Sequence, residues 1–162
     1  LLGWPVLRSD ELRRRVLDAT GDGPLVAPPG EGAYGEEETA RTYEALLAAA
    51  RTELCLGRSV ILDATFEDDR WRRAVLDLAD DVSCELVVVE TTAPVALASE
   101  RAEARLDEGG DVSGAGGEVV RALATRHRPW DGAVAVDTSG ADPALPVATV
   151  GDLLALGETQ AA

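Results

Sequence analysis

Strand and helix patterns alternate along this chain, which makes it an α/β domain with a parallel sheet and right-handed crossovers. Two further observations support that class. Gly57-Arg58-Ser59-Val60-Ile61-Leu62-Asp63-Ala64-Thr65-Phe66 is a helix stop, then a β-branched apolar run ending in a carboxylate and a hydroxyl. Cys84 to Val89, ending in Glu90-Thr91-Thr92, repeats that grammar. Runs so apolar are buried on both faces, and their carboxyl ends open onto a ligand crevice. Asp63 has two readings at this point, a site carboxylate or a residue that starts a turn or caps the next helix.

Taken in order, Leu1-Leu2-Gly3 fits the last turn of a helix, with Gly past its end. Trp4 to Leu7 is extended. Ser9 is placed as the N-cap of a helix that carries Leu12, Val16 and Leu17 on one side, with Asp10 and Glu11 in its first turn. Asp10 and Arg13, three apart, either pair with each other or stand at the mouth of the crevice. Gly21 to Gly35 is a Gly- and Pro-rich loop on the active face, with Tyr34 its single aromatic residue. A helix follows from Glu36 to Leu56, apolar at Ala40, Tyr43, Leu46, Leu47, Ala50 and Leu54 and stopped by Gly57.

Beyond Phe66, an amphipathic helix from Asp68 to Ala79 buries Trp71, Ala74, Val75 and Leu78 and starts on Glu67, Asp68 and Asp69. After the strand Cys84 to Val89, Pro94 opens a helix to about Glu108, with Arg101 and Arg105 on one face. Gly109 to Gly117 breaks it, and a second helix runs from Glu118 to Arg126. Two helices joined by such a break, with Arg on one face, suit a lid over phosphates. On pattern alone a solvated face partnered by Glu100, Glu103 and Glu108 is favoured. His127, the single His, is assigned no chemistry. Ala133 to Val136 is a further strand, ended by Asp137-Thr138-Ser139, and Val147 to Leu156 is a short final helix.

Composition sets the limits. The chain has 162 residues, 46% hydrophobic and 28% charged, enough for one domain with a sizeable core. A formal charge of -15 repels phosphate at long range and opposes polynucleotide or anionic-membrane partners. All fifteen basic residues are Arg, and Met is absent, so the sequence reads as an excised or truncated piece. Cys55 and Cys84 have no metal-ligand spacing and are expected as two buried thiols. The expected setting is soluble and cytoplasmic.

The polar residues after the strands (Ser9 and Asp10, Asp63 and Thr65, Glu90, Asp137 to Ser139) gather along one edge. Carboxylates and hydroxyls with Arg supplied from helices suit Mg-nucleotide chemistry. At this level the chain resembles the P-loop kinases of the polynucleotide-kinase, gluconate-kinase and zeta-toxin type. More narrowly it resembles the ATP-binding domain found alone or fused to aminoglycoside-phosphotransferase-like proteins. Val6 to Arg13, Thr39 to Tyr43, Gly57 to Phe66 and Arg101 to Ser113 carry the resemblance, with Val136 to Ser139 in support.

The resemblance implies a three-layer P-loop NTPase-like domain over 1–162, with a helical lid at about 94–128. It implies ATP and Mg2+ as cofactors and a small hydroxylated acceptor. Asp10 then takes the proton from the acceptor hydroxyl, and Arg13 orients the acceptor, with Tyr34 and Thr65 as further substrate-binding residues. Asp63 becomes the second carboxylate, set beside the metal through water. Arg101 and Arg105 become catalytic lid arginines on the transferring phosphate, and Asp137, Thr138 and Ser139 the nucleotide-binding loop.

Two features depart from the pattern. No G-x-x-x-x-G-K-[ST] occurs, and a chain without Lys lacks the phosphate-binding ammonium. Gly114 and Gly117 stand where the family places acids in the lid. The expectation is a domain cut within or before its phosphate loop, lacking the first strand. That strand lies mid-sheet in the family, so its loss leaves two unpartnered edges, poor folding or self-association, and no activity in the piece alone. A partner domain of phosphotransferase type is expected, fused or upstream. A non-catalytic binding module and an ATPase without an acceptor are the other readings.

Overall fold

The local rules read from the sequence produce four short strands and five helices in the computed structural model, which describes residues 3–17, 32–107 and 116–140. β1 (Val6–Arg8) passes straight into α1 (Ser9–Val16). A 3-10 turn (Gly32–Tyr34) precedes α2 (Glu36–Cys55), and β2 (Ile61–Asp63) leads through a turn to α3 (Asp69–Asp81). β3 (Val89–Thr92), α4 (Val95–Asp107), α5 (Gly117–Ala124) and β4 (Val134–Asp137) complete the order. The expected helix at Val147 to Leu156 and most of the Gly21 to Gly35 loop lie outside the described residues.

The helix ends follow their punctuation. Gly57 adopts φ +72°, Gly57 N donates to Leu54 O and Arg58 N to Glu53 O, so the orphan carbonyls of α2 are satisfied as the chain reverses. Asp68 caps α3 by accepting from Arg70 N at 2.8 Å. Ser9 is not the cap expected of it. Arg8 holds that position with extended backbone and no side-chain cap, because Ser9 itself is already helical.

The strands pair in parallel, and among the described residues they form two pairs rather than one sheet. β1 pairs with β2, matching Val6 with Ile61, Leu7 with Leu62 and Arg8 with Asp63. β3 pairs with β4, matching Val89 with Val134 through Thr92 with Asp137. The strand expected over Cys84 to Val89 is laddered only from Val89, because that is where β4 begins to offer partners, Val134 N donating to Val88 O. Among the described residues β2 and β3 each have one ladder neighbour. Val6 (44% exposed) and Ile61 (38%) stand register-matched on an open apolar face.

The core lies under the opposite face of the first pair. Leu7 and Leu62 pack onto a cluster of Tyr43, Leu46, Phe66, Trp71 and Val75, with Leu46 fully buried. Tyr43 stacks on Trp71 (centroids 4.9 Å, 11°) and meets Phe66 edge-on at 5.4 Å. In the second half Val136 of β4 is buried, and α4 and α5 bury Ala102 and Ser99, with Ser99 Oγ donating to Gly117 O at 3.3 Å. The thiols are not buried as expected: Cys55 is exposed, on the last turn of α2 past the core, and Cys84 is half-buried. No helix among the described residues is long and apolar enough to cross a membrane.

Candidate functional site

Parallel strands place their carboxyl ends on one side, and the residues singled out from the sequence fall at those ends in two sets. At the first pair, Asp63 closes β2 as an open carboxylate, 3.5 Å from Arg8 Nε of its register partner, both largely exposed. Asp10 lies half-buried in the first turn of α1, two residues beyond the end of β1. Arg13, one turn further, is 5% exposed. Its Nη1 donates to Ala33 O at 2.9 Å and to Thr39 Oγ1 at 3.4 Å, and its guanidinium lies 4.8 Å from the Tyr34 ring centroid. Arg13 and Tyr34 are therefore brought together, with Arg13 anchoring the entry to α2. Its buried Nε finds no partner among the described residues.

The turn that carries Thr65 is locked from beneath. Phe66 takes φ +46°, a left-handed conformation that costs a bulky residue on the order of 1 kcal/mol or more. Tyr43 Oη accepts from Phe66 N at 3.0 Å and lies 3.4 Å from Thr65 Oγ1, while Arg72 Nε donates to Phe66 O at 2.6 Å. Both backbone groups of the strained residue are thus satisfied by buried side chains, which fixes the path from Asp63 to Glu67.

At the second pair, Arg101 Nη1 donates to Thr138 O at 2.8 Å, tying α4 to the segment after β4. Thr138 is fixed to the end of β3, its N and Oγ1 both donating to Thr92 O at 2.8 and 2.9 Å. Ser139 N donates to Asp137 Oδ1 at 2.8 Å, and the bonds from the Ser139 side chain and backbone hold the Asp137 carboxyl below its usual range. Arg101, Asp137, Thr138 and Ser139 are brought together. Arg105 lies one turn along the same helix and is exposed.

Sequence reasoning missed what joins the two sets. Arg72, 9% exposed, donates to Phe66 O from Nε, to Pro129 O from Nη1 at 3.1 Å and to Arg128 O from Nη2 at 2.6 Å. Trp130 lies under that guanidinium at 5.4 Å and against Phe66 at 5.7 Å. Beside it His127 stands between Glu67 and Glu90, and Glu90 Oε2 accepts from Trp130 N at 3.3 Å. The one signal in the sequence was the polar Glu90 at a strand end; an Arg next to Trp71 on an amphipathic helix reads as solvated.

Over residues 2–130 the chain matches the AAA domain family. The chain belongs to that family. It is a P-loop kinase-like AAA domain, as the resemblance implied. Uncharacterized proteins of Mycobacterium tuberculosis and Mycobacterium bovis are 34% identical to it over 143 residues, covering 86% of this chain and 28% of each relative. The match to this chain thus spans just over a quarter of the length of these curated relatives.

The residues present fit part of what such a domain holds. Among the described residues no cluster of three or more His, Cys, Asp or Glu could cage a metal. A lone open carboxylate, Asp63, suits Mg2+, which keeps much of its water and takes few protein ligands. Arg101 and the 137–139 turn offer donors and a fixed backbone to an anionic nucleotide.

Proposed function

We propose that this AAA domain supplies most of the catalytic domain of an ATP-dependent phosphotransferase acting on a hydroxyl of a small molecule. The observation that carries the reading is the placement of two carboxylates, Asp10 and Asp63, at the ends of β1 and β2, with Arg101 and the 137–139 turn at the ends of β3 and β4. Net charge of -15 favours a small acceptor over a polynucleotide. Bound MgATP supplies the phosphoryl group and the metal's charge.

The chain's own residues do the rest. Asp10 accepts the proton of the acceptor hydroxyl, as a general base within reach of the entry to α1. Arg13 and Tyr34 shape the acceptor side with Thr65, and the Tyr43 and Arg72 locks hold Thr65 and Phe66 in place. Asp63 would be the residue that holds Mg2+, through the metal's water. Arg101 and Arg105 spread the charge that builds on the transferring group, and Asp137, Thr138 and Ser139 border the nucleotide. These 162 residues hold no Lys-bearing phosphate loop, and β2 and β3 each have an edge without a ladder neighbour among the described residues, where a further strand would fit. A fused or upstream phosphotransferase-type domain is the partner this reading calls for.

A non-catalytic binding module is the second reading, favoured by the absence of Lys. Transfer from ATP to a panel of hydroxylated small molecules, measured on the chain in its natural sequence context, separates the two. In the first reading Asp10→Asn lowers transfer by about 100-fold or more while ATP binding and slow hydrolysis persist. Transfer at the parent rate in Asp10→Asn removes Asp10 from catalysis, and no ATP binding at all leaves the binding module.

A further inference from the structure

His127 is the only imidazole in the chain, and it stands where the lid helices return to the strands. Its backbone N donates to Leu123 O at 2.9 Å, just past the end of α5. Its Nδ1 lies 3.2 Å from Glu67 Oε1 and its Nε2 2.8 Å from Glu90 Oε1. Glu67 follows β2 and Glu90 lies within β3, so one ring joins the lid exit to both strand pairs.

That geometry sets the protonation state. Neutral imidazole has one N–H and would turn a lone pair toward the second carboxylate; only the imidazolium donates to both. Hydrogen bonds to Glu67 and then Glu90 raise the His127 pKa above its ordinary value, against a smaller opposing effect of desolvation. For Glu90, burial pushes upward, but the bonds from His127 and Trp130 N and the charges of His127 and Arg72 together hold it below the usual carboxylate range. The other charges facing the cluster are Arg72 and Asp69 of α3 and the neighbouring Arg128. Arg128 lies 3.3 Å from Asp69, and Arg72 lies 4.0 Å from it. Imidazole is the side chain whose ordinary charge change falls between about pH 5 and 8, and His127 is the one imidazole of the chain.

We infer that His127 is a protonation-driven latch, tying the segment after α5 to Glu67, past β2, and to Glu90, within β3, as the imidazolium and releasing one carboxylate when it loses its proton to solvent. The latch concerns ties within the chain and does not depend on phosphoryl transfer. Because His127 is raised on folding, its stabilisation is complete below about pH 6.5 and is lost as pH rises through the folded value. Because Glu90 is lowered, its contribution is present above about pH 4.3 and is lost as pH falls through its folded value. The latch is closed between those limits.

With one His in the chain, an NMR titration of the imidazole signals reads the latch without assignment. The expected result is a pKa above about 6.5 that falls in both Glu67→Gln and Glu90→Gln and holds in Glu103→Gln. Amide exchange over 125–130, corrected for its intrinsic pH dependence, should then quicken several-fold as pH passes that pKa, and His127→Gln should flatten the response. A His127 that titrates at its ordinary value and ignores both Gln variants would overturn the latch. So would a raised pKa with no change in exchange, which leaves a static ion pair.

Discussion

The two strand pairs of this AAA domain are built to different standards. The β1–β2 pair rests on Tyr43, Leu46, Phe66, Trp71 and Val75, a closed aromatic and aliphatic cluster supplied by α2, α3 and the turn after β2. Around the β3–β4 pair, α4 and α5, the buried residues are fewer and smaller, Ala102, Val136 and Ser99. Regions with fewer buried apolar contacts open at lower free energy, so the first pair acts as the fixed platform and the second, with α4 and α5, as the part that yields. The difference matches what the proposed phosphoryl transfer would call for, acceptor groups held still and a segment that closes over nucleotide. Between the halves the described contacts include Arg72 on the carbonyls of Arg128 and Pro129, Arg128 beside Asp69, Trp130 on Phe66, and His127 between Glu67 and Glu90.

Substitutions break this contrast at three depths. Leu46→Ala empties the centre of the platform and should cost about 2–5 kcal/mol, read as a shift in denaturant midpoint with little change in slope. Arg72→Met keeps volume but leaves the carbonyls of Phe66, Arg128 and Pro129 without their donor. A loss of about 3 kcal/mol is expected, given about 1.5–3 for a hydrogen bond to a charged group. Its signature is faster amide exchange around 127–130, with α2 keeping its protection relative to global unfolding. Tyr43→Phe removes only the hydroxyl that holds Phe66 N and should cost about 1 kcal/mol. The exchange of the Phe66 amide should respond more than that of its neighbours.

Much of the fold was legible because helix periodicity and apolar runs are local. The apolar faces of α2 and α3 came out as read, Tyr43, Leu46 and Ala50 in one and Trp71, Val75 and Leu78 in the other. Pairing was not legible. Cys84 to Val88 carries the pattern of a buried strand, yet its ladder is set by where β4 runs. Burial of polar residues was also hidden. Arg72 sits between Arg70 and Arg73 in a charged stretch, and nothing nearby in sequence reveals that carbonyls 56 and 57 residues away would draw it inward. His127 has partners 60 and 37 residues distant, so its place between Glu67 and Glu90 is a tertiary fact. Arg101 could be read as a lid residue, but its bond to the Thr138 carbonyl required the fold.

The central claim is that the carboxyl ends of both pairs serve one nucleotide site. Hydrogen exchange of the protein in its natural sequence context, with and without MgATP, addresses it most directly. The account predicts slower exchange at 63–66 and at 137–140 in the same titration, half-complete at the same MgATP concentration. Saturation by MgATP with neither segment slowed, or with one slowed and the other untouched, would contradict it.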